Sequence, residues 1–297
     1  MTQAKSNGIM LEYERSGPAD GPPILLIHGV GAQLVRWPRS FCDALAAAGF
    51  HVIRFDNRDI GLSSHMDDAP IPDIAAIMAA KARGETPALP YTLSDMAADT
   101  AGLMDALGID SAHVIGVSLG GMVAQTLAIE HPARVRSLAI LMSDSGNPDL
   151  PPSTPAALLA LATPAPDPRM DEEGYLLHSI ALNRALGSPA YPTPEPDLRA
   201  FATKAARRSY NPAGNTRQFA AARGGPDRRP ALGRLRQPTL VIHGADDPLL
   251  TVDGGQDVAR HVPGAWLLVL SGMGHDMPDE LTDIFVSTIS ANTRRAG

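Results

Sequence analysis

Only one cysteine, Cys42, occurs in 297 residues. That excludes an intramolecular disulfide framework and fits a reducing, cytoplasmic setting. Basic residues are not in excess: Lys+Arg 25 against Asp+Glu 32 leaves a net charge of −7. Neither nucleic acid nor an anionic membrane is an expected partner of such a chain. No run of about 18 apolar residues reads as a membrane span. Met1 to Gly8 carries no apolar core of the kind a secretory signal needs, so none is expected. The spacings H-x-x-x-H and C-x-x-C are missing, and no metal site is expected. No internal repeat is visible. Cys42 itself falls in a helical stretch, Phe41 to Ala48, with no activating base nearby in sequence. It reads as a buried structural thiol.

What the chain does have is 44% hydrophobic residues, enough for a sizeable core. Its length suits one α/β domain carrying an insertion. Ile9 to Glu14 alternates apolar and polar, as a half-exposed strand near a sheet edge does. Ile24 to Ile27 is a continuous apolar run, the mark of a central strand. Helices are expected from Trp37-Pro38 to Ala48 and from Leu93 to Leu107, the latter opened by the capping residue Thr92. Strands are expected at His51–Asp56, His113–Ile115 and Val135–Met142. Pro70 to Pro90 reads as an inserted segment with a short helix at Ile74–Ala80. The alternation returns at Thr239–His243, a helix from about Gly255 to His261, a strand at Trp266–Leu270 and a final helix at Glu280–Ile289. Alternating strands and helices predict a mostly parallel sheet covered on both faces. Between them, residues 143–233 are rich in Pro, Gly and Ala, with short helical patches and no strand signal. They predict a helical cap on a core made of 1–142 and 234–297. Leu158, Phe201 and Phe219 are candidate pocket residues there. Arg207-Arg208 and Arg228-Arg229 read as solvated surface charge.

The chemistry centres on Gly116-Val117-Ser118-Leu119-Gly120. Strand, G-x-S-x-G, helix is the context of a nucleophile elbow, where a strained turn lifts the serine hydroxyl to the top of a sheet. Gly116 and Gly120 are required because side chains there would collide. The helix N-terminus behind Ser118 favours negative charge. A serine hydroxyl needs a base, and His275, in a Gly-bracketed loop after the last strand, is the best of nine histidines. A carboxylate must then hold the imidazole's other nitrogen. Asp247 is favoured, with Asp246 and Asp144 as alternatives. His28 sits beside glycines at a strand end and reads as structural. The order Ser118, Asp247, His275 is that of α/β-hydrolases.

The chain resembles the α/β-hydrolase superfamily over essentially its whole length. The resemblance rests on His28-Gly29-Val30-Gly31, the stretch Asp56 to Ser63, the elbow, Gly244 to Pro248 and Gly272 to His275. Within it, Trp37-Pro38 and His51 to Gly61 are similar to the aclacinomycin methylesterase group. Many relatives carry glycine where Asp59 stands. The resemblance implies an α/β-hydrolase fold and oxyanion-hole donors at the backbone N–H groups of Val30 and Leu119. It implies no cofactor, and substrate identity does not carry over; a small-molecule ester is the expected substrate, with Trp37 as a candidate substrate contact. Lactonases, carbon–carbon hydrolases, cofactor-free perhydrolases and low-turnover ligand receptors share these motifs.

Overall fold

The computed structural model describes residues 2–297. Its strands are β1 (Gln3–Ser6), β2 (Ile9–Ser16), β3 (Pro23–Ile27), β4 (His51–Phe55), β5 (Ala112–Val117), β6 (Val135–Leu141), β7 (Thr239–Gly244) and β8 (Trp266–Leu270). They form one sheet in the order β1-β2-β4-β3-β5-β6-β7-β8. β1, β2 and β4 pair antiparallel, and every pairing from β4 to β8 is parallel. Continuous apolar runs occupy the middle: Leu25, Leu26 and Ile27 of β3 are fully buried, and every residue of β5 is buried. A strand apolar on both faces needs cover on both.

That cover comes from α1 (Arg39–Ala47) and α11 (Thr282–Thr293) on one face. On the other lie α3 (Leu93–Ala106), α4 (Leu119–Glu130) and α10 (Val252–His261). Two apolar clusters result. One holds Leu25, Ile27, Met96, Leu103 and Val123. The other holds Leu26, Trp37, Phe41, Ile115 and Phe285. Each buried leucine or isoleucine contributes roughly 1.5–3 kcal/mol of transfer free energy. The α3 N-terminus is closed reciprocally: Thr92 Oγ1 accepts from Asp95 N–H and Asp95 accepts from Thr92 N–H.

The expected elements are present, with boundaries shifted by a few residues. α10 starts at Val252 instead of Gly255, and α11 runs on to Thr293 after a turn of 3₁₀ helix at Asp279–Leu281. β1, which pairs with β2 through a turn at Asn7-Gly8, lacks apolar alternation and is an addition to the expected strands. A short helix, α2 (Ile74–Ala82), lies in the proline-fenced segment. Residues 143–233 hold α5 (Pro155–Ala162), α6 (Glu172–Leu186), α7 (Glu195–Arg208), α8 (Pro212–Gly224) and α9 (Arg229–Leu232), with no strand. No helix of the described residues is long and apolar enough to cross a membrane.

Two of the expected surface arginines are drawn inward, Arg208 half-buried and Arg228 buried. Arg208 donates to Asp56 Oδ2 at 2.6 Å and to Gln33. Arg228 is 3% exposed, with its guanidinium on Gln125 and the Asp144 carbonyl. Arg207 does remain exposed. Leu158 faces solvent on the outside of α5.

Candidate active site

β3 leads its chain to β4 on one side of the sheet, and β5 continues on the other. The carboxyl ends of β3 and β5 therefore flank a topological switch point, where such sheets hold ligands. Ser118 lies at the tip of β5 with φ +56° and ψ −121°, a conformation rare outside glycine. Its backbone N–H is tied to Leu141 O at 2.9 Å, and its carbonyl accepts from Gly121 N–H and Ser143 Oγ. The steric demand on the flanking glycines is literal. A Cβ at Gly116 would strike Gly120 O, and one at Gly120 would strike Ile27 O. The turn is closed so tightly that β5, α4 and β3 touch backbone to backbone.

Two N–H groups beside Ser118 have no acceptor among the described residues: Val30, in the loop after β3, and Leu119, in the first turn of α4. Helix geometry leaves the second without an intrahelical partner. The Val30 loop is fixed from both sides. Gly31 N–H donates to Gln218 Oε1 of α8 at 2.9 Å, and Gln218 Nε2 donates to Arg58 O at 2.8 Å. Gly29 packs on Ser118, so that a Cβ added there would lie 3.1 Å from the serine Cβ.

His275 follows β8. Its Nδ1 is 2.7 Å from Asp247 Oδ2, and its backbone N–H donates to Leu186 O at the end of α6. Asp247 is buried, and its Oδ1 accepts from the N–H groups of Leu249 and Leu250 at 2.9 Å each. Burial alone would raise this carboxyl's pKa. The charges and hydrogen bonds of His275 and His243 outweigh it and hold Asp247 well below the carboxylate range. It is ionised and points at the imidazole. Asp246 turns the other way and accepts from Gly272 N–H at 2.8 Å. Asp144 accepts from Gly146 N–H and lies 3.5 Å from Arg228. Neither touches His275.

Three residues at the site escaped the sequence reading. His243, the polar end of buried β7, directs Nε2 to Leu250 O at 2.7 Å and to Asp247 Oδ2 at 3.4 Å. A carbonyl only accepts, so the proton is on Nε2, and His243 braces the loop that carries Asp247. Gln218 and Arg36 are the others. The signal that marks His243 is a titratable side chain ending an otherwise apolar strand, just ahead of an acidic loop.

His28 accepts from Gly29 N–H at Nδ1, which leaves its proton on Nε2. Burial first, then the charges of Arg36 and His275, lower its pKa to about 3, so the ring is neutral. Trp37 needs correcting as a substrate contact. It is 1% exposed, stacks on Phe41 and meets the His28 ring edge-on at 4.8 Å. Its side chain is part of the core cluster, not exposed at the surface of the site.

Comparison with known proteins agrees with this architecture. The family described as alpha/beta hydrolase fold matches residues 22–280. The rhodomycin D methylesterase DnrP of Streptomyces peucetius is 28% identical, the match spanning 94% of this chain and 93% of that one. Among solved structures, a meta-cleavage product hydrolase from Pseudomonas fluorescens superposes with TM-score 0.78 at 20% identity, covering 100% of this chain and 98% of the other. The enol-lactonase from Burkholderia xenovorans gives TM-score 0.74 at 25% identity, covering 99% and 100%. On this match across most of its length, the chain belongs to the alpha/beta hydrolase family.

Proposed function

We propose that this protein is a carboxylic ester hydrolase for hydrophobic small-molecule esters, working through Ser118, His275 and Asp247. The observation that carries the reading is the His275 Nδ1–Asp247 Oδ2 contact of 2.7 Å, at the same end of the sheet as a serine held at φ +56°. With Nδ1–H bound to an ionised carboxylate, Nε2 is left free as the base. Ser118 Oγ attacks the ester carbonyl while His275 Nε2 takes its proton. The carbonyl oxygen becomes an oxyanion held by Val30 N–H and Leu119 N–H, each donor worth ~3 kcal/mol in such sites. His275 returns the proton to the departing alcohol, which leaves an acyl-Ser118. A water, deprotonated by His275, then attacks the acyl carbon; Ser118 Oγ leaves with that proton and the acid is released.

The similarity to a methylesterase supports an ester substrate. The likeness to an enol-lactonase favours a second reading, since a lactone is a cyclic ester and opens by the same two steps. Helices α5–α9 are proposed as a cap that bounds the substrate space: α6 meets the His275 backbone and α8 the Val30 loop. The deciding test is hydrolysis of p-nitrophenyl esters, methyl esters and lactones by the wild type and by Ser118→Ala. The expected loss is at least a thousandfold on every substrate that turns over, with the circular dichroism spectrum kept. Activity of the purified variant within tenfold of wild type overturns the serine mechanism. A single burst without turnover identifies a ligand receptor.

A further inference from the structure

Arg36 is a cation without a counter-ion. It lies on a single 3₁₀ turn, Leu34–Arg36, directly after the loop that carries Val30. The side chain runs under the helical insertion. Its Nη2 donates to Asn183 Oδ1 of α6 at 2.6 Å, and its guanidinium carbon stands 4.5 Å above the Phe201 ring of α7. Asn183 is locked by donating Nδ2 to Ser179 O at 2.7 Å, so its oxygen is presented to Arg36 and to nothing else. A guanidinium has further N–H donors in a rigid fork. Among the described residues none of these meets an acceptor, and no carboxylate lies within ion-pair distance of Arg36.

The nearest candidate counter-ion is Asp276, next to His275. Its carboxylate is already hydrogen-bonded by Ser188 Oγ, which also accepts from Gly274 N–H at 2.9 Å. Arg36 reaches Asp276 only through longer-range attraction, and the same charge is felt at His28. Arg36 thus follows the β3 loop in the chain and bonds α6, the helix whose last residue accepts from His275 N–H. Burial lowers its pKa, against the pull of Asp276. Arg36 is half-buried, so its unbonded N–H donors stay open to a further acceptor.

We propose that Arg36 is an anion-recognition residue of the substrate pocket, taking a carboxylate carried by the ester substrate at a distance from the scissile bond. This inference rests on the esterase reading and narrows it to half-esters of hydrophobic dicarboxylic acids and related acidic esters. A carboxylate takes the free edge of a guanidinium bidentately, while Phe201 covers the face and Asn183 sets the rotation.

The test pairs each half-ester with a neutral ester of the same acid chain length, from monomethyl succinate with methyl butyrate to monomethyl suberate with methyl octanoate. Wild-type kcat/KM is expected to favour the half-ester at least tenfold at one chain length. Arg36→Gln and Arg36→Met are expected to cut that ratio at least tenfold, and Arg36→Lys to restore part of it. A second readout avoids turnover: calorimetric titration of monomethyl suberate into Ser118→Ala, with and without Arg36→Gln. The added substitution is expected to weaken Kd at least tenfold, about 1.4 kcal/mol. A wild type that does not prefer half-esters at any length overturns the proposal without reference to a variant, and so do ratios that stay within twofold across the variants. Turnover without such discrimination removes the anion site and leaves the esterase. Arg36-dependent binding without turnover removes the esterase and leaves the anion site.

Discussion

Arg217 of α8 and Asp59 of the β4–α2 connection are joined by two hydrogen bonds of 2.8 Å, and neither side chain exposes more than 1% of its surface. They are 158 residues apart in sequence. Asp59 adopts φ +71° at this contact. Burial by itself would raise the Asp59 pKa. The Arg217 hydrogen bonds, the Met66 N–H and the Arg217 charge together hold it below the carboxylate range. The pair pins the helical insertion to the loop that follows β4, beside the second pair, Arg208 with Asp56.

Asp59→Asn tests that latch with little backbone penalty, because asparagine tolerates positive φ well. It leaves Arg217 buried without its counter-charge. The expected loss is about 3–5 kcal/mol in urea unfolding. Asp59→Asn with Arg217→Met is expected to recover much of it, since the double variant removes the stranded charge. A single variant within about 0.5 kcal/mol of wild type would show the pair to be neutral.

Asp246 and Asp247 give a sharper comparison. They are adjacent, yet Asp247 meets His275 and Asp246 meets the Gly272 backbone. Asp247→Asn presents an amide N–H₂ or a weaker acceptor to Nδ1 and loses the correct tautomer. In the serine-protease template this costs ~10⁴ in kcat. Asp246→Asn keeps an oxygen for Gly272 N–H and is expected to lose less than about tenfold. The readout is kcat for one p-nitrophenyl ester across both variants, and a larger loss at Asp246 reverses the assignment.

These residues show what a sequence can and cannot carry. The elbow is legible because its glycines answer a local collision, readable within five residues. The two aspartates are ambiguous because both are polar residues of one loop. Only the direction in which the end of β7 points them separates their surroundings. Arg228 and Arg208 read as surface charge because their partners lie 84 and 152 residues away, and composition is blind to such distances. β1 has no apolar alternation, but the Asn7-Gly8 pair does announce it. Both residues take positive φ, as a two-residue hairpin turn requires. Trp37 read as a substrate contact because sequence gives a position in the fold, not the direction of a side chain, and here that side chain packs into the core.

Stability should carry a pH signature from a residue away from the site. His113 is buried in β5, with Nδ1 2.8 Å from Ser137 Oγ. Burial, reinforced by the Arg136 charge, lowers its pKa from 6.5 to about 4. The unfolded chain therefore takes up this proton first as pH falls. The stability that neutral His113 contributes is fully present above 6.5 and is withdrawn towards pH 4, at up to ~1.4 kcal/mol per unit. His113→Gln cannot titrate. Urea midpoints between pH 7 and 4 are expected to fall less steeply for it than for wild type. The slope should not vanish, because His28 is depressed in the same direction. Parallel slopes for the two proteins would remove His113 from the acid limb.

Gln218 tests whether the helical insertion takes part in the chemistry. Its amide spans two loops: Oε1 receives Gly31 N–H, and Nε2 donates to Arg58 O. The residue before Gly31 is Val30, whose N–H is the proposed oxyanion donor. Gln218→Leu keeps much of the side-chain volume but removes both hydrogen bonds, leaving Gly31 N–H and Arg58 O without that partner. Stability should fall by about 1–3 kcal/mol, the cost of stranding buried polar groups. The informative effect is kinetic. If the Val30 donor is held in place from α8, loosening the loop weakens a contact made in the transition state rather than in the ground state. A displacement of about 1 Å can cost 10²-fold. The expected result is a kcat lowered about 10- to 100-fold with KM changed far less, on short and long acyl esters alike. A change confined to KM, or one that varies with acyl length, would instead make Gln218 part of the pocket wall.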